Sequence, residues 1–583
     1  MTPIYVAENE LDAQLVQDLL VSAGIAAHIF GPNVADPDGG VPATRQVRVV
    51  VEDEEAITVL LRYNLESEGY VVDACARGEI EADAIGPLEP ESLHHLVEVD
   101  HRPALDAAGM PESEISLSGL AAAAAGVLGH EQEVFQGEVW WSAITGPRAV
   151  AEERYAAYLA WVARHGLTPA QYQAAFDQFT RQGYRLSVVS GYRDGGSDRY
   201  AAVWTKAGGP QWSARHGTPA AHYQSVFDNH RYQSWEPDYV EAFNGQDGVR
   251  FNTIWRNTTF AAKDLKLIED KARAYMRAND IPGLSIAVMR NDKLVYAAGF
   301  GVADKDSGMP VSPRHRFRIA SVSKPITHVA VVNLANTTSL ELGDRVFGDN
   351  SILGGTFATP DSNPDIEDIT VDHLIRHRAG FRRINADGAN SDPMFDYSGT
   401  GHAGLINWAL EEYPLGYTPG TAPANLTGQD RYSNFGYCLL GRVIEARSGK
   451  SYEAYVRDTL LKPAGAGDIV IGGDKLADRK PDEVVYYGSG AYSSVKPQRF
   501  DSHGGWIARP IDLLRFMRHT DDILAPYYHN GAMSGTLATY DQRAGGFGLV
   551  AVSNSRGGSP DDMKAMMDAI ADEVSNWPAI DLF

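Results

Sequence analysis

Cysteine is scarce in this chain: Cys75 and Cys438 are the only two among 583 residues, and both lie in apolar patterns. Two such residues offer no disulfide framework, so stability has to come from packed cores. No run approaches the 18 apolar residues of a membrane-spanning helix. The opening M-T-P-I-Y-V-A-E-N-E lacks the basic region and long apolar core of a signal peptide, which makes a cytoplasmic address the expectation. Lysine is missing from the first 150 residues; the first is Lys206. Only six arginines stand in that stretch, and most of the chain's net charge of −25 is concentrated there. Such a surface is a poor partner for nucleic acid or an anionic membrane. Apolar residues are not scarce. They make up 44% of the chain, enough for proper cores, and the length fits three or four domains.

Ser321-Val322-Ser323-Lys324 is the most informative stretch. A polar turn runs there into an apolar helical pattern. Serine and lysine three apart on a helix share a face, so the amine can sit against the hydroxyl. A serine hydroxyl is a poor nucleophile until a neighbour removes its proton, and a lysine shielded from water can be that neighbour. With Ser321 opening the helix, its Oγ and N–H sit at the positive end of the helix dipole. Ser493-Ser494-Val495-Lys496 repeats the spacing by chance, but Gly and Pro around it deny it a helix.

Two further segments follow in order: Tyr432-Ser433-Asn434 and His529-Asn530-Gly531-Ala532. The order S-x-x-K, Y-x-N, H-x-G resembles the serine β-lactamase and penicillin-binding-protein superfamily, most closely its class C and esterase branch. The flanks agree. Ile281-Pro282-Gly283 leads a strand pair turning at Asn291-Asp292. Ile369-Thr370, His373-Leu374-Ile375 and His377-Arg378-Ala379-Gly380-Phe381 are similar to the family's I-T-x-x-H-L-L-x-H-x-S-G-L segment. Pro419-Gly420-Thr421 precedes the tyrosine motif. Gly504-Gly505-Trp506-Ile507 with Asp512-Leu513 is similar to the family's G-G-L-x-S-T-x-x-D-L. The match runs from about Phe260 to Trp577.

The resemblance implies a β-lactamase/transpeptidase-like α/β sandwich, an antiparallel sheet flanked by helices. It makes Ser321 the nucleophile of an acyl-enzyme. Lys324 and Tyr432 become its proton relay, and Asn434 bonds to Lys324 and to substrate. The N–H groups of Ser321 and Ala532 make the oxyanion hole beside Gly531. No metal or organic cofactor is implied. His529 replaces the lysine that holds a free carboxylate in β-lactamases, and a mostly neutral histidine is a weaker anchor. That points toward esters, amides or internal peptide bonds. His373 and His377 stand four apart on a predicted helix and invite a zinc reading, but no H-E-x-x-H pattern accompanies them. Relatives of this half are generally exported, so a secreted or periplasmic location is the alternative to the cytoplasm.

Two departures from the family stand out. Extra polar sequence, A-P-A-N-L-T-G-Q-D, precedes Tyr432 and predicts a loop beside the cleft. A Y-G-x-G-W strand expected before His529 is missing; only Gly545-Gly546-Phe547-Gly548 follows it, which would leave one cleft wall incomplete.

Ahead of this half, Trp161 and Trp212 open two copies of one pattern with a period of 51 residues. Thr168-Pro169 and Thr218-Pro219 read as helix starts. Each copy ends in an aromatic strand, at Trp204 and at Trp255. Arg154-Tyr155-Ala156-Ala157 resembles the tail of a truncated third copy. The copies resemble the bacterial tandem tryptophan-repeat module that precedes a β-lactamase-like domain in polyglycine hydrolases. Exposed Trp and Arg would mean that the repeats grip a polymer substrate; buried Trp would mean that they pack.

Residues 1–78 predict an acidic ferredoxin-like β-α-β-β-α-β domain, with strands at Ile4–Val6, Ala26–Ile29, Val47–Val51 and Tyr70–Ala74 and helices at Glu10–Ser22 and Glu54–Glu66. A partial receiver built on Glu52, Asp53 and Asp100 is the rival, without the lysine a receiver needs. Residues 79–150 are unassigned mixed helix and loop, 151–258 the repeat module and 259–583 the hydrolase domain. The chain as a whole predicts an α/β multidomain protein whose α+β repeats join these two parts. Its leading function is serine hydrolysis of peptide amides, like polyglycine hydrolases. The alternatives are an esterase, class C β-lactamase or D-Ala-specific peptidase, and a repeat-based binding protein with a disabled fold.

Overall fold

The computed structural model describes residues 161–583 except 362, 383–391 and 525–526, and the backbone of three strands nearer the N-terminus. Those three, Thr2–Ala7, Ala27–Phe30 and Val47–Val51, form an antiparallel sheet with the third strand in the middle. That order is the one a split β-α-β arrangement requires, and it differs from the parallel sheet of a receiver. The predicted helices, the fourth strand, residues 79–150 and the truncated third copy lie outside the described residues.

Each repeat is a strand, a helix and a hairpin. The first comprises Trp161–Leu167, Pro169–Arg181, Arg185–Asp194 and Ser197–Thr205; the second comprises Gln211–Pro219, Ala220–Arg231, Glu236–Gly245 and Gly248–Asn257. In both, the last strand is central in a three-stranded antiparallel sheet. Thr168 caps the first helix with Pro169 at its first position, and Gln171 completes a capping box. Thr218-Pro219 behaves differently. Both residues still pair with Phe251 and Arg250, so the strand runs two residues further and the helix starts at Ala220 without a side-chain cap. Trp204 and Trp255 are fully buried. These two tryptophans are core residues, whereas Trp161 and Trp212, which open the copies, are half-buried.

The C-terminal half is built on a sheet of order Met309–Pro310, Lys293–Asp304, Gly283–Arg290, Phe547–Ser553, Thr536–Arg543, Tyr527–Met533. Asn291 and Asp292 both take positive φ, as a tight hairpin turn requires. Side chains alternate between two cores. Val550 and Val552 join the one that holds the helix Ser323–Thr337; Leu549 and Ala551 face helices Ala262–Ala278 and Pro560–Glu573. The five long strands are complete without the missing Y-G-x-G-W strand, and Tyr527–Met533 forms one edge. Gly545-Gly546 is the turn into Phe547–Ser553.

At the opposite edge, strand Lys293–Asp304 is covered piece by piece. The C-terminal tail bonds at Leu294, Tyr232 O accepts from Ala297 N at 2.9 Å, and the Asn229 amide spans both backbone groups of Gly299 at 2.8 Å each. The second repeat thus caps a sheet edge that would otherwise be open to pairing. Asn229→Leu leaves that N–H and C=O unpaired; we expect a loss of about 1–3 kcal/mol in urea unfolding, with the secondary structure by circular dichroism unchanged.

Candidate active site

Ser321 lies in a 3-10 turn, Ala320–Val322, and the α-helix begins only at Ser323. The turn rather than the helix presents the hydroxyl because Ala320 adopts φ +48°, a left-handed conformation that non-glycine residues seldom take. Lys324, on the first helical turn, is fully buried. Its Nζ lies 3.0 Å from Ser321 Oγ, 2.8 Å from Asn434 Oδ1 and 3.0 Å from the carbonyl oxygen of His503. It also sits 4.7 Å from the centre of the Tyr432 ring and 5.7 Å from that of Tyr437.

Tyr432 and Asn434 flank the start of helix Asn434–Ser448, whose N-cap is Ser433. The buried carboxylate of Asp392 accepts from the Asn434 N–H at 2.7 Å and from the Met394 N–H at 3.0 Å. That fixes the backbone of the residue whose side-chain Oδ1 holds Lys324. From the other side comes the edge strand. Gly531 abuts the turn at Ser321 so closely that a Cβ there would lie 2.2 Å from Ile319 O and 2.9 Å from Ser321 N. Ser321, Tyr432, Asn434, His503, His529 and Ala532 line one cleft of about 360 Å³. Gln429, from the extra loop before Tyr432, lines it too, and so do Phe395 and Phe500. The structure therefore brings all seven sequence-predicted site residues together.

Asp392 and the backbone of His503 were missed by sequence reasoning. Asp392 lies 42 residues from Asn434 in the chain and His503 179 from Lys324, so no local pattern links either pair. His373 and His377 serve the backbone: His373 completes a capping box with Thr370, and His377 Nδ1 accepts from Ser433 N at 3.1 Å. Ser493 lies in a turn and Lys496 in irregular chain after it, and Ser494 Oγ donates to Gly490 O.

Burial, then the nearby Lys324, pushes His529 down to about 4. The same two causes hold His503 well below the usual histidine value. His529 is therefore uncharged at neutral pH, and its Nδ1 lies 2.7 Å from Asn530 O. Burial also brings His216, His230 and His315 to about 4. A histidine kept neutral in the fold takes up its proton only on unfolding. Stability is therefore full above pH 6.5 and falls as pH drops toward about 4. Each such histidine contributes up to roughly 1.4 kcal/mol per pH unit across that window. The buried carboxyls of Asp228, Glu483 and Asp512 are raised by burial and act in the opposite sense. The comparison that isolates His529 is a variant: His529→Asn should reduce the loss of urea-unfolding stability between pH 6.5 and 4 by one histidine's share.

Comparison with known proteins matches residues 268–558 to the Beta-lactamase family, and residues 159–207 and 209–258 to the "Polyglycine hydrolase-like, structural repeat" family. Protein flp of Staphylococcus aureus is 28% identical over 188 residues, 32% of this chain and 34% of that protein. A probable fimbrial assembly protein FimD of Dichelobacter nodosus is 31% identical over 178 residues, 30% of this chain and 39% of that protein. The chain thus spans about a third of the length of the curated relatives it matches. A D-amino acid amidase from Ochrobactrum anthropi is similar in structure, with 18% identity, a TM-score of 0.42, and coverage of 54% of this chain and 100% of that one. Among the described residues no helix is long and apolar enough to cross a membrane. Residues 268–558 thus form a domain of the β-lactamase family, and the two repeats in front of it are polyglycine hydrolase-like structural repeats.

Proposed function

We propose that this chain is a serine hydrolase that cleaves amide bonds within a peptide through an acyl-enzyme on Ser321. The observation that carries this reading is the set of partners around Lys324 Nζ. They include two carbonyl oxygens, Asn434 Oδ1 and His503 O, and the hydroxyl of Ser321. A neutral amine has two N–H bonds and one lone pair. In that form Lys324 Nζ could take the Ser321 proton across the 3.0 Å that separates them, as a general base must.

In the first half-reaction Ser321 Oγ bonds to the carbonyl carbon while its proton passes to Lys324. The C–N bond breaks as the Tyr432 phenol gives its proton to the leaving nitrogen, and Lys324 returns a proton to the phenolate. In the second, water attacks the ester carbon, its proton enters the same relay, and Ser321 Oγ recovers a hydrogen. The N–H groups of Ser321 and Ala532 would hold the oxyanion in both. A neutral His529 gives a substrate carboxylate no cation to bind, which favours an internal amide over a free C-terminus. It also favours the amide over β-lactams, whose carboxylate needs that anchor. The proposed substrate is a glycine-rich peptide, on the strength of the repeats.

We expect a fluorophosphonate to add to Ser321 by intact-mass and peptide mapping. A glycine-linker peptide should be cut internally, and nitrocefin should not turn over. Turnover of nitrocefin or of simple esters alone would transfer the assignment to a β-lactamase or esterase. Absence of both label and hydrolysis would leave a binding protein.

A further inference from the structure

We infer that His377 is a positioning residue for the Tyr432 phenol, an inference that rests on the proposed reaction. The short helix Val371–Ile375 ends at Arg376, and His377 follows in the left-handed region at φ +54°. Glycine or asparagine is the usual occupant of that place, because a larger side chain is strained there. A histidine at such a position needs a reason in its side chain, and two contacts supply one. Its Nδ1 accepts the N–H of Ser433 at 3.1 Å, fixing the backbone directly after Tyr432. Its ring lies 4.5 Å from the Tyr432 ring, centre to centre, and 5.1 Å from that of Tyr437. Those same two tyrosines face Lys324 Nζ. Tyr432 thus touches the His377 ring and lies beside the lysine it would exchange protons with. The strained turn is itself anchored, since Tyr417 Oη donates to His377 O at 3.0 Å.

If His377 sets the phenol, its loss should matter in proportion to how much the leaving group needs a proton. A poor leaving group, the amine of a peptide, depends on the Tyr432 proton. A p-nitrophenolate leaves without one. The experiment pairs His377→Asn with His377→Phe. Asparagine tolerates positive φ and keeps an acceptor for Ser433 N–H but loses the ring; phenylalanine keeps a ring but loses the acceptor. Rates are taken per Ser321 that reacts with fluorophosphonate, which removes any unfolded fraction.

The expected result is a roughly 10-fold to 100-fold fall in kcat on a glycine-rich peptide for both variants, with KM little changed, and a fall of less than about threefold in the acylation burst on a p-nitrophenyl ester. Equal falls on both substrates, or none on the peptide, would overturn the assignment while leaving the hydrolase reading intact. A wild-type protein whose Ser321 neither labels nor turns over would remove the reaction, and this role with it.

Discussion

Replacing Ser321 with alanine is expected to abolish fluorophosphonate labelling and to lower peptide hydrolysis by at least ~10³-fold, and Lys324→Ala to do nearly as much. The two effects should not add. Ser321 Oγ and Lys324 Nζ, 3.0 Å apart, act as one unit, so a double variant should be hardly slower than either single one. The two substitutions should differ in stability. Ser321 lies at the cleft surface, and its loss costs little. Lys324 is fully buried, and its removal strands Asn434 Oδ1 and His503 O without a donor. A buried unpaired acceptor costs about 1–3 kcal/mol, so Lys324→Ala should lower the urea midpoint while Ser321→Ala leaves it in place. Residual peptide cleavage in purified Ser321→Ala, with no contaminating protease, would place the nucleophile elsewhere.

Gly531→Val should produce the second large loss. A Cβ at this position would enter the space of Ile319 O and Ser321 N. Backbone, not a flexible side chain, occupies that space, so the strand or the nucleophile turn has to move. The N–H groups of Ser321 and Ala532 could then no longer address a single oxygen. Loss of one oxyanion donor in other hydrolases lowers kcat by roughly 10²–10³-fold, and a fall of that order is expected. The overpacking itself should cost about 1–3 kcal/mol of stability. Gly531→Ala should fall between wild type and valine in both measures. Full kcat in a folded Gly531→Val would mean that the strand contributes nothing to the oxyanion site.

The pattern of legible and hidden features follows from how far each signal reaches along the chain. Ser321 and Lys324 are recognisable from spacing because one turn of chain carries both. Tyr432 and Asn434 are recognisable because they flank a helix start, and the repeats because a period of 51 survives without any structure. Thr218-Pro219 was misread as a helix start. Its local signal matched Thr168-Pro169, but pairing with Phe251 and Arg250, a tertiary event, kept it in a strand. The suspected gap in the cleft wall was read from a missing motif. The sheet ends without it on the edge strand that carries His529, and that strand reaches the turn at Ser321 through Gly531.

Residue order and spacing, with the resemblance they carry, were enough to pick out Ser321, Lys324 and Tyr432 as a candidate site and to find the repeats, since these rest on local motifs and on self-similarity. Packing alone chose the rest. It put the Asp392 carboxylate beneath Asn434, the His503 carbonyl on Lys324, the His377 ring against Tyr432 and the Asn229 amide on an open sheet edge. Each of those contacts joins segments distant in the chain. Whether they meet depends on how whole helices and strands bury their apolar faces, a quantity no local window contains.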